Sequence, residues 1–302
     1  MLRIVLNHRN KTLLLRMAFN LQTFKTRALS AVIFMVIMAI GLLWNSWSFF
    51  ALFSIVHFGC WIEYQKLVQQ FNPDYAAISP IHKWGVMIGG WCLLLYFTNG
   101  ELSVMGVRLQ GIGWWIGLVL LIIIPIAELV GAKKFFIKNI GYSLCGLFYI
   151  SLSLGLLMDL RNHWIEEAYA LNLTIPLLTI FTLWINDTMA YVVGSFIGKT
   201  PLSPISPKKT WEGTIGGVIL AVIVVCIIAY FTQRLSIFHT AVIATLAAVS
   251  GTFGDLFESK LKRMAGVKDS GAIMPGHGGF LDRFDSLLFA STVVWFYATF
   301  FI

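Results

Sequence analysis

Between Ser259 and Asp285 an otherwise apolar chain reads SKLKRMAGVKDSGAIMPGHGGFLDRFD. Lys260, Lys262, Arg263 and Lys268 precede a glycine-rich turn, and Asp282, Arg283 and Asp285 follow it. Ammonium and guanidinium groups suit phosphate oxygens, closely spaced carboxylates suit a hard divalent cation, and Gly276, Gly278 and Gly279 let backbone approach a ligand. Together they point to phosphate chemistry assisted by a metal.

The neighbouring residues extend that set. Asp255, Glu258, Ser259 and Lys262 fall at i, i+3, i+4 and i+7, so a helix presents all four on one face. Asp282 and Asp285 repeat the i, i+3 spacing. If the two helix ends are neighbours, both carboxylates point at Asp255, and the three supply the protein share of a Mg²⁺ site completed by phosphate oxygens and water. A solvated charge run at a membrane surface is the plain alternative. His277, between two glycines, is placed to donate to a phosphate or a leaving group. Lys208 and Lys209 lie in SPKKTWEG (206–213), where Ser206 followed by Pro207 reads as a helix start aiming backbone N–H groups and two lysines at an anion. Asp187 sits within an apolar stretch, where a carboxylate costs roughly 2.5 to 3.5 kcal/mol to insert and therefore faces the bundle interior or a wet cavity. With Asn186 beside it and Tyr191 and Ser195 on the same face, it could order water, help bind a nucleotide or hydrogen-bond a neighbouring helix.

The elements that must position these residues are membrane helices. Hydrophobic residues make up 58% of the 302-residue chain and charged ones 12%. Apolar runs near the roughly 20 residues needed to cross hydrocarbon recur throughout, without the alternation of a barrel. The expected fold is an all-α polytopic bundle of about nine spans, at 29–44, 46–64, 84–98, 113–130, 137–157, 175–198, 213–232, 237–257 and 280–301. Trp44 to Trp47 allow only a tight interfacial turn between the first two. With a cytoplasmic N-terminus, only Arg108, Arg161 and Arg234 of the 22 Lys and Arg residues fall on the outer side. The net charge of +8 is thereby explained as topology rather than affinity for nucleic acid. Cys60, Cys92, Cys145 and Cys226 lie in separate apolar spans and read as buried hydrophobes, neither disulfide framework nor zinc site. Residues 1–28 are basic with interleaved apolar side chains and suit an amphipathic segment on an anionic leaflet. No cleavable leader is apparent, and Met17 is an alternative start. Residues 29–157 read as a scaffold and 175–302 as the chemical half.

Taken with their spacing, Ser259, Lys262, Arg263, Lys268, Asp269, Gly271, Pro275, His277, Gly278, Gly279, Asp282, Arg283 and Asp285 resemble the signature of the phosphatidate cytidylyltransferases, also called CDP-diacylglycerol synthases. Met274, where the family has Leu, Ile or Phe, is a volume-conserving departure. Asp187 with Ala190 and Tyr191, the 206–213 segment and Gly254-Asp255-Leu256 add to the likeness, as do Arg27 and the Trp61–Tyr64 stretch with Glu63 more weakly. The resemblance runs over about residues 185–290. It implies that the phosphate of phosphatidic acid attacks the α-phosphorus of CTP, giving CDP-diacylglycerol and pyrophosphate, at the cytoplasmic face of the inner membrane. It further implies Mg²⁺ on Asp255 and Asp282 with Asp285 close by, and room for a second cation. Lys208, Lys209, Lys262, Arg263 and Arg283 would then clamp phosphates, Glu258 and Ser259 orient the site, and Asp187, Lys268 and His277 touch substrate. A homodimer is implied as well. Two other readings stay open: a CTP-dependent lipid kinase, which needs similar groups, and a transporter, since an intramembrane Asp often marks an ion path.

Overall fold

Local sequence sets the helix ends. Asn45 accepts the Ser48 N–H at 2.8 Å and Ser48 Oγ accepts the Asn45 N–H at 3.1 Å, a reciprocal cap that starts α2 (Ser46–Phe71) directly after α1 (Leu21–Leu43). The tight turn expected between the first two helices is therefore present. Ser79 caps α3 (Pro80–Tyr96) with Pro80 at its first position. A short hairpin, β1 (Ser103–Val104) and β2 (Val107–Arg108), leads into α4 (Leu109–Gly131). The computed structural model describes residues 21–131, 136–162, 171–272 and 278–302.

Helix α5 (Ile137–Asn162) runs through a π-helical stretch at Leu147–Leu152. After α6 (Leu171–Ile197), a second hairpin pairs β3 (Pro201–Ser203) with β4 (Ser206–Thr210). Three helices follow: α7 (Trp211–Thr232), α8 (Ile237–Met264) and α9 (Leu281–Phe301). Among the described residues, nine helices stand where nine apolar stretches were expected. Six of them, α4 to α9, are long and apolar enough to cross a membrane, which makes this a multi-pass helical membrane protein. Of the other three, α1 is apolar over Leu29–Leu43, α3 is 17 residues long, and α2 carries buried His57, Glu63 and Gln65.

Those polar side chains explain the place of α2. Phe49, Phe53, Trp61, Tyr64 and Leu67 along it are almost fully buried, so protein groups rather than lipid surround its interior face and can satisfy polar atoms there. The exposed apolar side chains concentrate on α1, α4 and α7, as expected of helices solvated by hydrocarbon. Around the core, α3 packs along α4, α6 along α7, and α8 along α9.

Two local expectations are corrected. Ser206–Pro207 does not begin a helix. Residues 206–210 are extended and paired with β3, and the helix starts after Thr210, whose Oγ1 accepts the Gly213 N–H at 3.2 Å. The Glu212 carboxylate accepts the N–H groups of Lys199 and Thr200 at 3.1 Å, which fastens the hairpin to the helix end. Helix α8 also continues past 257 to Met264, carrying its charged residues on helical backbone. Residues 1–20, and Met274, Pro275, Gly276 and His277, lie outside the described residues.

Candidate active site

Helices α8 and α9 meet closely because Gly254 has no side chain. A Cβ there would lie 2.5 Å from the backbone oxygen of Asp285. The contact brings carboxylates from both helices together: oxygens of Asp255, Glu258 and Asp285 all lie within 4.8 Å of one another. Glu258 and Asp285 are buried and Asp255 partly so. Glu258 Oε1 is buried without a hydrogen-bond partner. Three carboxylates held this close repel unless cationic charge lies among them. Lys209, from β4, pairs with Asp255, and Lys262 pairs with Glu258. Hard oxygen donors converging with an unsatisfied atom fit a divalent cation such as Mg²⁺.

Asp282 has other partners. Its Oδ1 is 2.7 Å from Lys262 Nζ, and its Oδ2 accepts the N–H groups of Ser270 and Gly279, each at 2.8 Å. Lys262 therefore links Glu258, inside the cluster, to Asp282, beside it. Ser270 Oγ stands between two carboxylates, 2.7 Å from Glu63 Oε2 and 2.8 Å from Asp282 Oδ2. Glu63 reaches in from α2 and accepts the N–H of Phe280 at 2.9 Å and of Leu281 at 2.8 Å. It thus satisfies donors that the start of α9 cannot pair within the helix. Gly271 and Gly279 flank it, since a Cβ at either would fall within 2.3 Å of Glu63 Oε1.

The cluster opens onto a cavity of about 450 Å³ between α6, α7, α8, α9 and the β3–β4 hairpin. Asp187, Tyr191 and Ser195 line one wall and Lys208, Lys209 and Thr210 another, with Asp255, Asp282 and Asp285 at the base. A smaller cavity of about 130 Å³ shares Asp187, Asp282 and Asp285. Phe34 and Met38 of α1, Leu183 and Trp184 of α6, and Arg283 of α9 also line it.

Relatives identify the scaffold. The profile of the cytidylyltransferase family matches residues 25–301. The chain belongs to this family. A phosphatidate cytidylyltransferase of Synechocystis sp. is 32% identical over 90% of this chain and 95% of its own length. One from Bacillus subtilis is 30% identical, over 91% and 96%. The match to "Phosphatidate cytidylyltransferase 4, chloroplastic" of Arabidopsis thaliana is 38% identical over 158 residues, 50% of this chain but 39% of that longer protein.

Within this family member the structure gathers most of the residues singled out by spacing. Asp255 and Asp285 are in the cluster, Lys262 at its edge, and Asp187, Lys208, Lys209 and Asp282 on the cavity lining. Glu258, expected to orient the site, is itself one of the three clustered carboxylates. Ser259 is buried in α8. Arg263 and Lys268 are exposed, the former donating to the Val267 carbonyl at 3.3 Å, and neither lines the cavities. Glu63 and Ser270 were not singled out by spacing as site residues. The signals for Glu63 were the weaker resemblance of the Trp61–Tyr64 stretch and a carboxylate near the inner end of an apolar helix, which needs donors wherever it is buried.

Proposed function

We propose that this enzyme transfers CMP from CTP to phosphatidic acid, giving CDP-diacylglycerol and pyrophosphate, in a Mg²⁺-dependent reaction at the cytoplasmic face of the inner membrane. One observation carries the reading: the three-carboxylate cluster lies at the base of a cavity whose wall carries Lys208 and Lys209. A triphosphate needs this combination of cationic clamps and hard-metal donors.

Asp255, Glu258 and Asp285 would hold the cation, which when bound neutralises charge on the triphosphate and on the departing pyrophosphate. Lys208 and Lys209, on the rigid β4 strand, bind phosphate oxygens from the opposite wall. Lys262 holds Glu258 and Asp282 at a fixed separation. Arg283, which lines the smaller cavity, meets the lipid phosphate while Phe34, Met38 and Trp184 of the same lining receive acyl carbon. An oxygen of that phosphate attacks the α-phosphorus as the bond from the α-phosphorus to the bridging oxygen breaks. The nucleophile is already anionic at neutral pH, so positioning does the catalytic work and no general base is required.

The nine helices all cross the bilayer in this reading, with the N-terminus inside, and the charge distribution supports it: Lys199, Lys208, Lys209, Lys260, Lys262 and Lys268 all lie at the end of the bundle that carries the site. CTP labelled at the α- or the γ-phosphate tests the reaction. Transfer of α-label into the chloroform phase with dioleoyl phosphatidic acid is expected. Transfer of γ-label alone would make the enzyme a lipid kinase.

A further inference from the structure

The hydrogen-bond register of α5 widens over Leu147–Leu152, and such π turns inside α-helices are frequent at functional sites. Here the widened turn carries Tyr149. Its ring centroid lies 4.8 Å from that of Phe257 and 5.7 Å from that of Phe289. Phe257 is between Asp255 and Glu258 on α8, and Phe289 is one turn beyond Asp285 on α9. Tyr149 therefore wedges into the crossing of α8 and α9 beside the carboxylate cluster, from a third helix.

Its hydroxyl is buried and has no hydrogen-bond partner among the described residues. The ionisable groups within electrostatic reach of it are Asp285, Glu258, Cys60 and Asp255. A phenylalanine would fill the same aromatic niche and leave no polar atom to satisfy, so the fold alone gives no reason for the hydroxyl. An unpartnered donor packed beside a group of acceptors has a use once those acceptors, and water with them, are fixed around a cation.

We infer that Tyr149 is a further positioning residue of the site. Its O–H donates into the carboxylate and water shell of a divalent cation seated at Asp255, Glu258 and Asp285. The inference rests on the cation reading above and adds to it a group from the N-terminal half of the chain.

The test uses the full chain in detergent, with Mn²⁺ as probe. Binding is followed by loss of the free-ion electron paramagnetic resonance signal, and the melting temperature is measured in EDTA. Tyr149→Phe is expected to raise the Mn²⁺ Kd about tenfold and to leave the melting temperature in EDTA unchanged or higher. An unchanged Kd overturns the inference. So does a lower melting temperature in EDTA, which would make the hydroxyl an element of the fold. Asp285→Asn provides the blank. Wild-type protein that leaves the Mn²⁺ signal as Asp285→Asn does would remove the cation reading first, and the role of Tyr149 with it.

Discussion

Glu63 Oε2 accepts the backbone N–H of Leu281 at 2.8 Å, across 218 positions of sequence. With the companion bond to Phe280, it fixes where α9 begins relative to α2, and so where Asp282 and Asp285 stand. A buried charge-assisted bond of this kind contributes about 1.5 to 3 kcal/mol.

Glu63→Gln should consequently lower both stability and turnover. The amide keeps one acceptor and brings its own N–H groups to a place already full of donors. Activity is expected to fall at least about tenfold, with an earlier thermal melt in detergent. An unchanged melt would separate Glu63 from the seating of α9.

Gly271→Ala and Gly279→Ala act on the same contact, because each new Cβ meets Glu63 Oε1. Their losses should be less than additive with that of Glu63→Gln, since all three changes disturb one interaction. A double-mutant cycle on thermal stability measures this, and strict additivity would show that the glycines serve another purpose.

The carboxylates divide into two groups in a cation titration. Asp255→Asn, Glu258→Gln and Asp285→Asn should each reduce turnover by on the order of a hundredfold or more, with EDTA abolishing what remains. Asp282→Asn should cost roughly tenfold with Mg²⁺ half-saturation near wild type, because Asp282 is held by Lys262 and by the N–H groups of Ser270 and Gly279. Should Asp282→Asn shift half-saturation as far as Asp285→Asn does, Asp282 belongs with the cation ligands.

Gly254→Ala pushes α8 from α9 at the level of Asp285. Overpacking of this kind costs about 1 to 3 kcal/mol, and here it also spreads the cluster. The variant should insert and purify normally yet lose turnover and Mn²⁺ affinity together. Retained Mn²⁺ affinity would show that the helix contact does not set the carboxylate spacing.

Lys209→Ala removes the partner of Asp255 on the cavity wall. The KM for CTP is expected to rise about tenfold, with a smaller change in kcat, in mixed-micelle kinetics. Equal losses in kcat and kcat/KM would place the contact in the transition state instead.

Much of this arrangement was legible in the sequence because it depends on local periodicity. Apolar length located the helices, and the i, i+3 spacing of Asp255 and Glu258 put both on one face of α8. What depends on contacts between distant segments was not legible. Asp282 and Asp285 have the same spacing, yet Asp282 occupies the first turn of α9, where neighbouring backbone donors and Lys262 claim its carboxylate. The role of Glu63 depends on donors from the other end of the chain. The β3–β4 hairpin was hidden because Ser-Pro suits a helix start as well as an extended edge, and only Thr210 and Glu212 decide between them.

The span between Glu63 and its partners also dictates an order of events at the ribosome. Chains emerge N-terminus first, so α2 is made long before Phe280 and Leu281 exist to receive its carboxylate. Until α9 arrives, that carboxylate must find its donors elsewhere, and the position of Asp282 and Asp285 is not yet set. A helix translated late is the one that completes the machinery.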